Sequence, residues 1–411
     1  MKTSAYNGVA TVIKMVLGII GNKINSVFLG PAGYALIGQM SNYNTIIGTL
    51  ANLGMGNGIV KYISEYYDNN EERKKIVETY IFATLTSSSI LCVLSVSLSF
   101  YISEFLFQDS SYWFIIALSG VFLIFGAFGS LITNLLNGLK QFKRLITTGI
   151  IATALNLIVS IPLIMFFNVK GALLSVFIVF PITTYINFQY LKRTGFEYKI
   201  LRPKLHKDSW IKLRKYTAMA LTSMILLPLS QLILRNYIIA QLSVEAAGFW
   251  QAITKFSNLY LSVILASISL YYVPRLSEIK DKTELRKEIL AAYAILLPIT
   301  AIMSITFFFA KDLIIDLVYA PSFRPMRELF AFQLLGDFLR VMSYILAHLF
   351  IAKAIGKKFI FSEIIFTFSY LVLSVFFVNQ YGVVGMTYAY ALNFFLYNIF
   401  IYFTFRKTII F

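Results

Sequence analysis

Asp337, Arg340, Tyr344 and His348 recur at i, i+3, i+7 and i+11 inside an otherwise apolar stretch. At helical periodicity they form one stripe. Asp337 and Arg340 are spaced to pair along the helix, which lowers the cost of burying either charge. His348 is the histidine that falls inside an apolar segment, and it can titrate near neutral pH. Together with Asp337 it is a candidate for proton or cation coupling. The bland alternatives are a purely structural ion pair and a hydrogen-bonded histidine near a helix end. Cations also interrupt apolar segments at Lys14, Lys23, Lys61, Arg235 and Lys255. Each costs at least about 2.5–3.5 kcal/mol near a bilayer centre, so such residues usually face a partner or a watery cavity. Lys61, with Glu65 one turn away, reads best as a side chain that snorkels to the interface. Six cations against Asp337 and the shallower Glu363 favour an anionic ligand such as a phosphate or pyrophosphate.

Uncharged polar residues accompany these cations. Asn7, Thr11, Lys14, Gly18, Gly21, Asn22 and Asn25 share a broad helical face, with Lys23 on the opposite side. Gln251, Lys255, Asn258, Ser262 and Ser269 make a second stripe, and Ser41, Thr45, Gly48, Asn52 and Gly56 a third. Tight packing of small residues is the competing account of such stripes. Asparagine and glutamine suit sugar hydroxyls. Candidate anion contacts are therefore Lys14, Lys23, Arg235, Lys255 and Arg340. Candidate sugar contacts are Asn22, Asn25, Asn52, Gln251 and Asn258.

Other chemistries find no support. Gly54-x-Gly56-x-Gly58 is followed by no Lys-Ser or Lys-Thr and preceded by no strand. It is expected inside a helix as a packing feature, not as a phosphate loop. No His/Cys cluster has metal spacing, and no nucleophile motif appears. Cys92 is the single cysteine and reads as a buried structural thiol. The largest external segment, 310–328, is short for a catalytic domain. No metal, no cofactor and no enzymatic activity are expected.

The elements that must carry these side chains are membrane-spanning helices. Only 13% of the 411 residues are charged and 58% are hydrophobic, against about 25% charged in soluble domains. Mean hydropathy is +0.74. Apolar periodicity predicts an all-α polytopic protein of about twelve transmembrane helices. They fall at 8–29, 34–63, 77–103, 112–137, 145–167, 171–191, 216–241, 246–272, 289–309, 329–352, 359–378 and 383–404. The basic stretch 192–215 reads as a cytoplasmic linker between an N-lobe, 1–191, and a C-lobe, 216–411. Twenty-six of the 36 Lys and Arg fall on one side of this topology, four on the other. Basic loops stay inside, which places both termini in the cytoplasm. The net charge of +17 has the same origin, so nucleic acid is not an expected partner. Ala32-Gly33-Tyr34 matches Ala247-Gly248-Phe249, Ser64-Glu65 matches Ser277-Glu278, and Lys170-Gly171 matches Val384-Gly385, at nearly one offset. This predicts a duplicated six-helix unit whose pseudo-two-fold lies along the membrane normal, with a central cavity.

GPAGYALIGQ (Gly30 to Gln39), KYISEY (Lys61 to Tyr66), AGFWQAITKFSN (Ala247 to Asn258), RELFAFQLLGDFLR (Arg327 to Arg340) and IAKA (Ile351 to Ala354) occur in an order that resembles the Wzx-type O-antigen and enterobacterial common antigen flippases. These belong to the multidrug/oligosaccharidyl-lipid/polysaccharide exporter superfamily. The resemblance implies a V-shaped pair of lobes and alternating access in a bacterial inner membrane. Its implied cargo is an undecaprenyl-pyrophosphate-linked oligosaccharide such as an O-antigen repeat unit. It also implies that Lys14, Lys23, Arg235 and Lys255 engage the pyrophosphate. Membrane lipid, an O-antigen polymerase and a chain-length regulator are the implied partners. Another secondary exporter of the superfamily predicts acidic cavity residues. A membrane glycosyltransferase or polymerase predicts sugar incorporation by the protein alone. A non-transporting scaffold predicts indifference to loss of these cations.

Overall fold

The computed structural model describes residues 2–194, 196, 202–268, 272–353 and 355–409; within these, the side chains of 2–9, 218, 219, 223, 263, 266, 267, 273, 274 and 407–409 lie outside the description. Part of the basic segment 192–215 and Ala354 of the IAKA string are likewise outside it. Among the described residues the chain is helical throughout, with no strand. Fifteen α-helices follow in order: α1 Lys2–Ala51, α2 Gly56–Glu65, α3 Asn70–Ser97, α4 Ser99–Phe107, α5 Trp113–Gly138, α6 Phe142–Ile178, α7 Phe180–Lys192, α8 Lys207–Gln241, α9 Val244–Ser267, α10 Val273–Glu278, α11 Lys282–Phe309, α12 Lys311–Val318, α13 Phe330–Ala352, α14 Gly356–Tyr381 and α15 Gly385–Ile409.

Among the described residues, eight helical stretches are long and apolar enough to cross a membrane. Three of them, Ala10–Ala51, Phe142–Lys192 and Gly356–Arg406, run 42, 51 and 51 residues. At about 1.5 Å per residue each exceeds twice a hydrocarbon core of about 30 Å. Each is broken by one residue in the left-handed region: Gly30 (φ 62°), Asn168 (φ 50°) and Gly382 (φ 61°). Pro31 removes a helical donor directly after Gly30. Large apolar side chains such as Ile158, Phe166, Ile302, Phe309 and Phe368 stay more than half exposed, as a surface covered by lipid allows.

The corners at Asn168 and Gly382 are built alike. Three residues after each stands a glycine, Gly171 or Gly385, packed on the carbonyl eight residues back. A Cβ at Gly171 would lie 1.8 Å from the Leu163 oxygen, and one at Gly385 2.2 Å from the Phe377 oxygen. Glycine is therefore required at both. The matched pairs Lys170-Gly171 and Val384-Gly385 mark these corners.

The chain divides into two compact units, Met1–Leu29 with Leu36–Leu232, and Gly30–Ala35 with Ile233–Phe411. Two features of the N-terminal unit differ from the sequence reading. The helix expected over 34–63 ends at Ala51, because Leu53 (φ 49°) and Gly54 (φ 62°) turn the chain. Gly54 is thus at a break and not inside a helix, and α2 starts afresh at Gly56. The packing role expected of the glycines does hold. Cβ atoms at Gly54 and Gly58 would stand 2.9 and 3.0 Å from Ala220 and Tyr216 of α8. Second, the segment 192–215 is not all loop: α8 begins at Lys207. Leu213 is fully buried in the cluster that also holds Ile59, Ile63 and Tyr80, and Trp210 packs against that cluster. Residues 202–206 are tied to α3, where the His206 ring nitrogen sits 2.8 Å from Glu78 and the His206 backbone N–H donates to Thr79 at 3.1 Å. Lys212 donates to the Tyr66 hydroxyl at 2.9 Å, and that bond and nearby Glu72 hold its ammonium above the ordinary lysine range.

Candidate functional site

In the C-terminal unit the α13 stripe is the centre of a buried polar network. Asp337 is fully buried. Its Oδ2 accepts from Ser257 and Tyr260 of α9, each at 2.6 Å. Its Oδ1 accepts from Tyr390 of α15 at 2.9 Å and from Gln333 at 3.4 Å. Four donors fill both carboxylate oxygens and tie three helices together. Gly336 makes room for this, since a Cβ there would lie 2.3 Å from the Tyr390 ring.

The direct Asp337–Arg340 pair expected from their spacing is not formed. The Tyr390 hydroxyl stands between them, donating to Asp337 and accepting from Arg340 Nη1 at 3.4 Å. Arg340 instead points at exposed Asn258, whose Oδ1 accepts from Nη1 at 3.1 Å. Its guanidinium also lies 5.7 Å from the centre of the Tyr344 ring. One corner of the planar fork is thus fixed. Nε and Nη2 make no hydrogen bond among the described residues, and Arg340 is only half-buried. Two adjacent N–H groups on a fixed guanidinium are the geometry that grips a phosphate or carboxylate in a bidentate manner.

The other predicted residues of this unit differ in depth. Arg235 is 1% exposed; its Nη2 donates to Gln251 Oε1, and its guanidinium lies 5.5 Å from the centre of the Trp250 ring. Lys255 is half-buried with its ammonium 5.2 Å from the centre of the Tyr34 ring. These are cation–π positions. His348 is buried, and its Nδ1 donates to the Tyr344 carbonyl at 2.7 Å. Ser262 is exposed on α9, and Ser269, at the end of that predicted stripe, falls outside the described residues.

The N-terminal unit holds a cavity of about 870 Å³, walled by α1, α2, α5, α6, α7 and α8. Among the described residues its lining includes six asparagines, seven threonines and one serine, and no acid or base. Thr45, Gly48, Asn52 and Gly56 of the predicted stripe all reach this wall. Asn52 is set by a relay in which Asn134 donates to the Tyr80 hydroxyl and Tyr80 donates to Asn52, each at 3.2 Å. Lys14 lies against the wall: a Cβ at the lining residue Gly149 would stand 2.4 Å from its Nζ. No acidic side chain pairs with Lys14 among the described residues. Asn22, Lys23 and Asn25 sit farther along α1 and are not part of the lining. Asn22 is 2% exposed, and the Lys23 carbonyl accepts from Ser26 at 2.8 Å. Lys61 is exposed, with its ammonium 5.1 Å from the centre of the Tyr62 ring and 5.8 Å from that of Tyr216.

A sequence-family profile described as "Polysaccharide biosynthesis protein" matches residues 1–280. The chain belongs to this polysaccharide biosynthesis family. Two curated relatives of this chain are "Lipid III flippase" of Escherichia coli (strain K12) and of Shigella flexneri. Each is 28% identical over 398 residues, covering 96% of this chain and 95% of the relative. The fold of this family member is that of the superfamily expected from its sequence. An inward-facing multidrug resistance MATE family transporter of the MOP superfamily superposes with a TM-score of 0.81 at 13% identity, covering 97% of this chain and 98% of that one. The lipid II flippase MurJ in an inward closed conformation superposes with a TM-score of 0.78 at 14% identity, covering 98% and 88%.

Some residues of this family member's site were not legible as such. Tyr390, Ser257 and Tyr260 support Arg340 through Asp337, yet sit on α15 and α9. Asn44, Asn134, Asn156 and Asn187 join Asn52 in one wall from four helices. The available signal was an amide within an apolar span, which each of them is.

Proposed function

We propose that this protein is a flippase that moves a polyprenyl-pyrophosphate-linked oligosaccharide, an O-antigen repeat unit or a related glycan, from the cytoplasmic to the periplasmic leaflet of a bacterial inner membrane. The observation that carries this reading is Arg340. A half-buried guanidinium on a membrane-spanning helix has one corner fixed by Asn258 and Tyr390 and its remaining fork uncommitted. Such a group suits an oxyanion, and a cationic drug finds no partner in it. The names of the curated relatives and of MurJ support the same cargo class.

The finer topology belongs to the same proposal. The three longest stretches count as two crossings each, and α9 adds another. This gives twelve crossings in two six-helix lobes with both termini cytoplasmic, working by alternating access without catalysis. Lys14, Lys255 and Arg235 are the further proposed anion contacts. Asp337 and His348 are the proposed groups for a proton-coupled step. An O-antigen polymerase and a chain-length regulator are proposed partners downstream.

The test is complementation of a strain that lacks its own lipid-linked-glycan flippase. The protein is expected to restore surface polysaccharide and to relieve lipid-linked units trapped in the cytoplasmic leaflet. Persistent trapping, in strains making several different glycans and with the protein present in the membrane, would overturn the proposal.

A further inference from the structure

The wall of the N-terminal cavity contains two buried polar atoms with no protein partner. One is the Asn187 carbonyl oxygen and the other the Asn44 amide nitrogen. Asn187 is 5% exposed, and its own amide group is already committed to Thr133 Oγ1 at 3.1 Å. An unfilled acceptor and an unfilled donor therefore stand in one wall. Leaving such atoms unpaired is unfavourable, and a wall this rich in amides and hydroxyls suits a polar, uncharged occupant.

We propose that this cavity is a sugar subsite, which takes the uncharged rings of the transported glycan, neutral hexose or N-acetylhexosamine units. The inference rests on the flippase reading above and adds to it where the glycan sits. A sugar hydroxyl both donates and accepts, as do the amides and hydroxyls of this wall taken together. The wall supplies fourteen Asn, Thr and Ser side chains for the remaining hydroxyls. An ionised group inside would meet no counter-charge, and burying it would be costly. Leu123, Val176 and Phe180 give apolar surface for the ring C–H faces. The volume lies within the range of about 300–1,000 Å³ usual for small-molecule sites. Lys14, pressed against Gly149, sets a positive charge beside the neutral wall, where an anionic group of the same cargo would lie. The cavity thus recognises hydroxyls and amides, and the adjoining lysine recognises charge.

The test uses the full-length protein in lipid nanodiscs and saturation-transfer NMR. The probes are neutral di- and trisaccharides of hexose and N-acetylhexosamine, with inorganic pyrophosphate as a separate probe. Wild type is expected to give sugar signals, weakened by about tenfold or more in Asn187→Leu and in Asn44→Leu and retained in Lys14→Ala. Thr153→Val, a milder change in the same wall, is expected to weaken them as well, and melting temperatures identify any variant that fails to fold. Absence of sugar binding to wild type would mean that water alone fills the wall, and would overturn the proposal. Equal binding by all folded wall variants would overturn it too. Sugar binding without flipping by reconstituted protein would keep the subsite and remove the flippase reading; flipping without sugar binding would do the reverse.

Discussion

Arg340→Ala is expected to slow translocation of a pyrophosphate-linked oligosaccharide in proteoliposomes by about 30- to 700-fold, with protein yield and melting temperature close to wild type. The estimate follows from losing a charge-assisted contact to a desolvated anion, about 2–4 kcal/mol, at 1.4 kcal/mol per factor of ten. The fold should survive because Arg340 makes no ion pair. Its loss frees only Asn258, which is exposed, and one acceptor site on Tyr390, which still donates to Asp337. Arg340→Lys keeps the charge but not the planar fork, so an intermediate rate is expected. Wild-type rates in Arg340→Ala would remove this residue from the site.

Asp337→Ala has the opposite profile. It deprives Ser257, Tyr260, Tyr390 and Gln333 of their common acceptor. It also removes the hydrogen bonds that tie α9 and α15 to α13 at this point. Removing one member of a buried charged network costs about 3–5 kcal/mol. Low membrane levels and a clearly lower melting temperature in detergent are expected, with Asp337→Asn milder because one oxygen remains. Wild-type stability in Asp337→Ala would show that the network does not hold the unit together. Asp337→Asn also bears on the proposed proton coupling. If the folded variant responds to a pH gradient at fixed potential as wild type does, Asp337 has no part in coupling.

The helix breaks were legible where a residue type demanded them. Gly30-Pro31 joins the residue that tolerates positive φ to the one that lacks a donor, and the chain turns there. The repeat pairs at Lys170-Gly171 and Val384-Gly385 located two corners of the same construction. The break at Leu53 and Gly54 was hidden because Gly-x-Gly-x-Gly also fits tight helix packing, and those glycines do pack tightly. The start of α8 was hidden by its charge: Lys207, Lys212, Arg214 and Lys215 look like a loop, but on the other face Leu213 is buried and Trp210 half-buried against the core.

The candidate site divides the same way. Spacing along one helix put Asp337, Arg340 and His348 on one stripe but could not show what approaches from other helices. Asp337 and Arg340 were therefore read as partners, although Tyr390, fifty residues beyond Arg340, separates them. Arg235 and Lys255 were read as cavity cations from their sign alone. The structure places Arg235 within its unit against Trp250 and Gln251, and Lys255 over Tyr34. The neutral N-terminal cavity was the least legible, since its walls come from six helices and each contributes only a few amides or hydroxyls.

The central claim is that this protein translocates a glycan lipid whose linkage is anionic and is gripped by a cation within the membrane. The most direct measurement compares two cargoes in proteoliposomes of purified protein: a polyprenyl-pyrophosphate oligosaccharide and the same oligosaccharide on an uncharged polyprenyl ether. Reagent added outside reads how fast each head group crosses. The predicted result is rapid, protein-dependent crossing of the pyrophosphate-linked cargo and little crossing of the ether. Equal rates for the two, or no protein-dependent crossing of either, would contradict the claim.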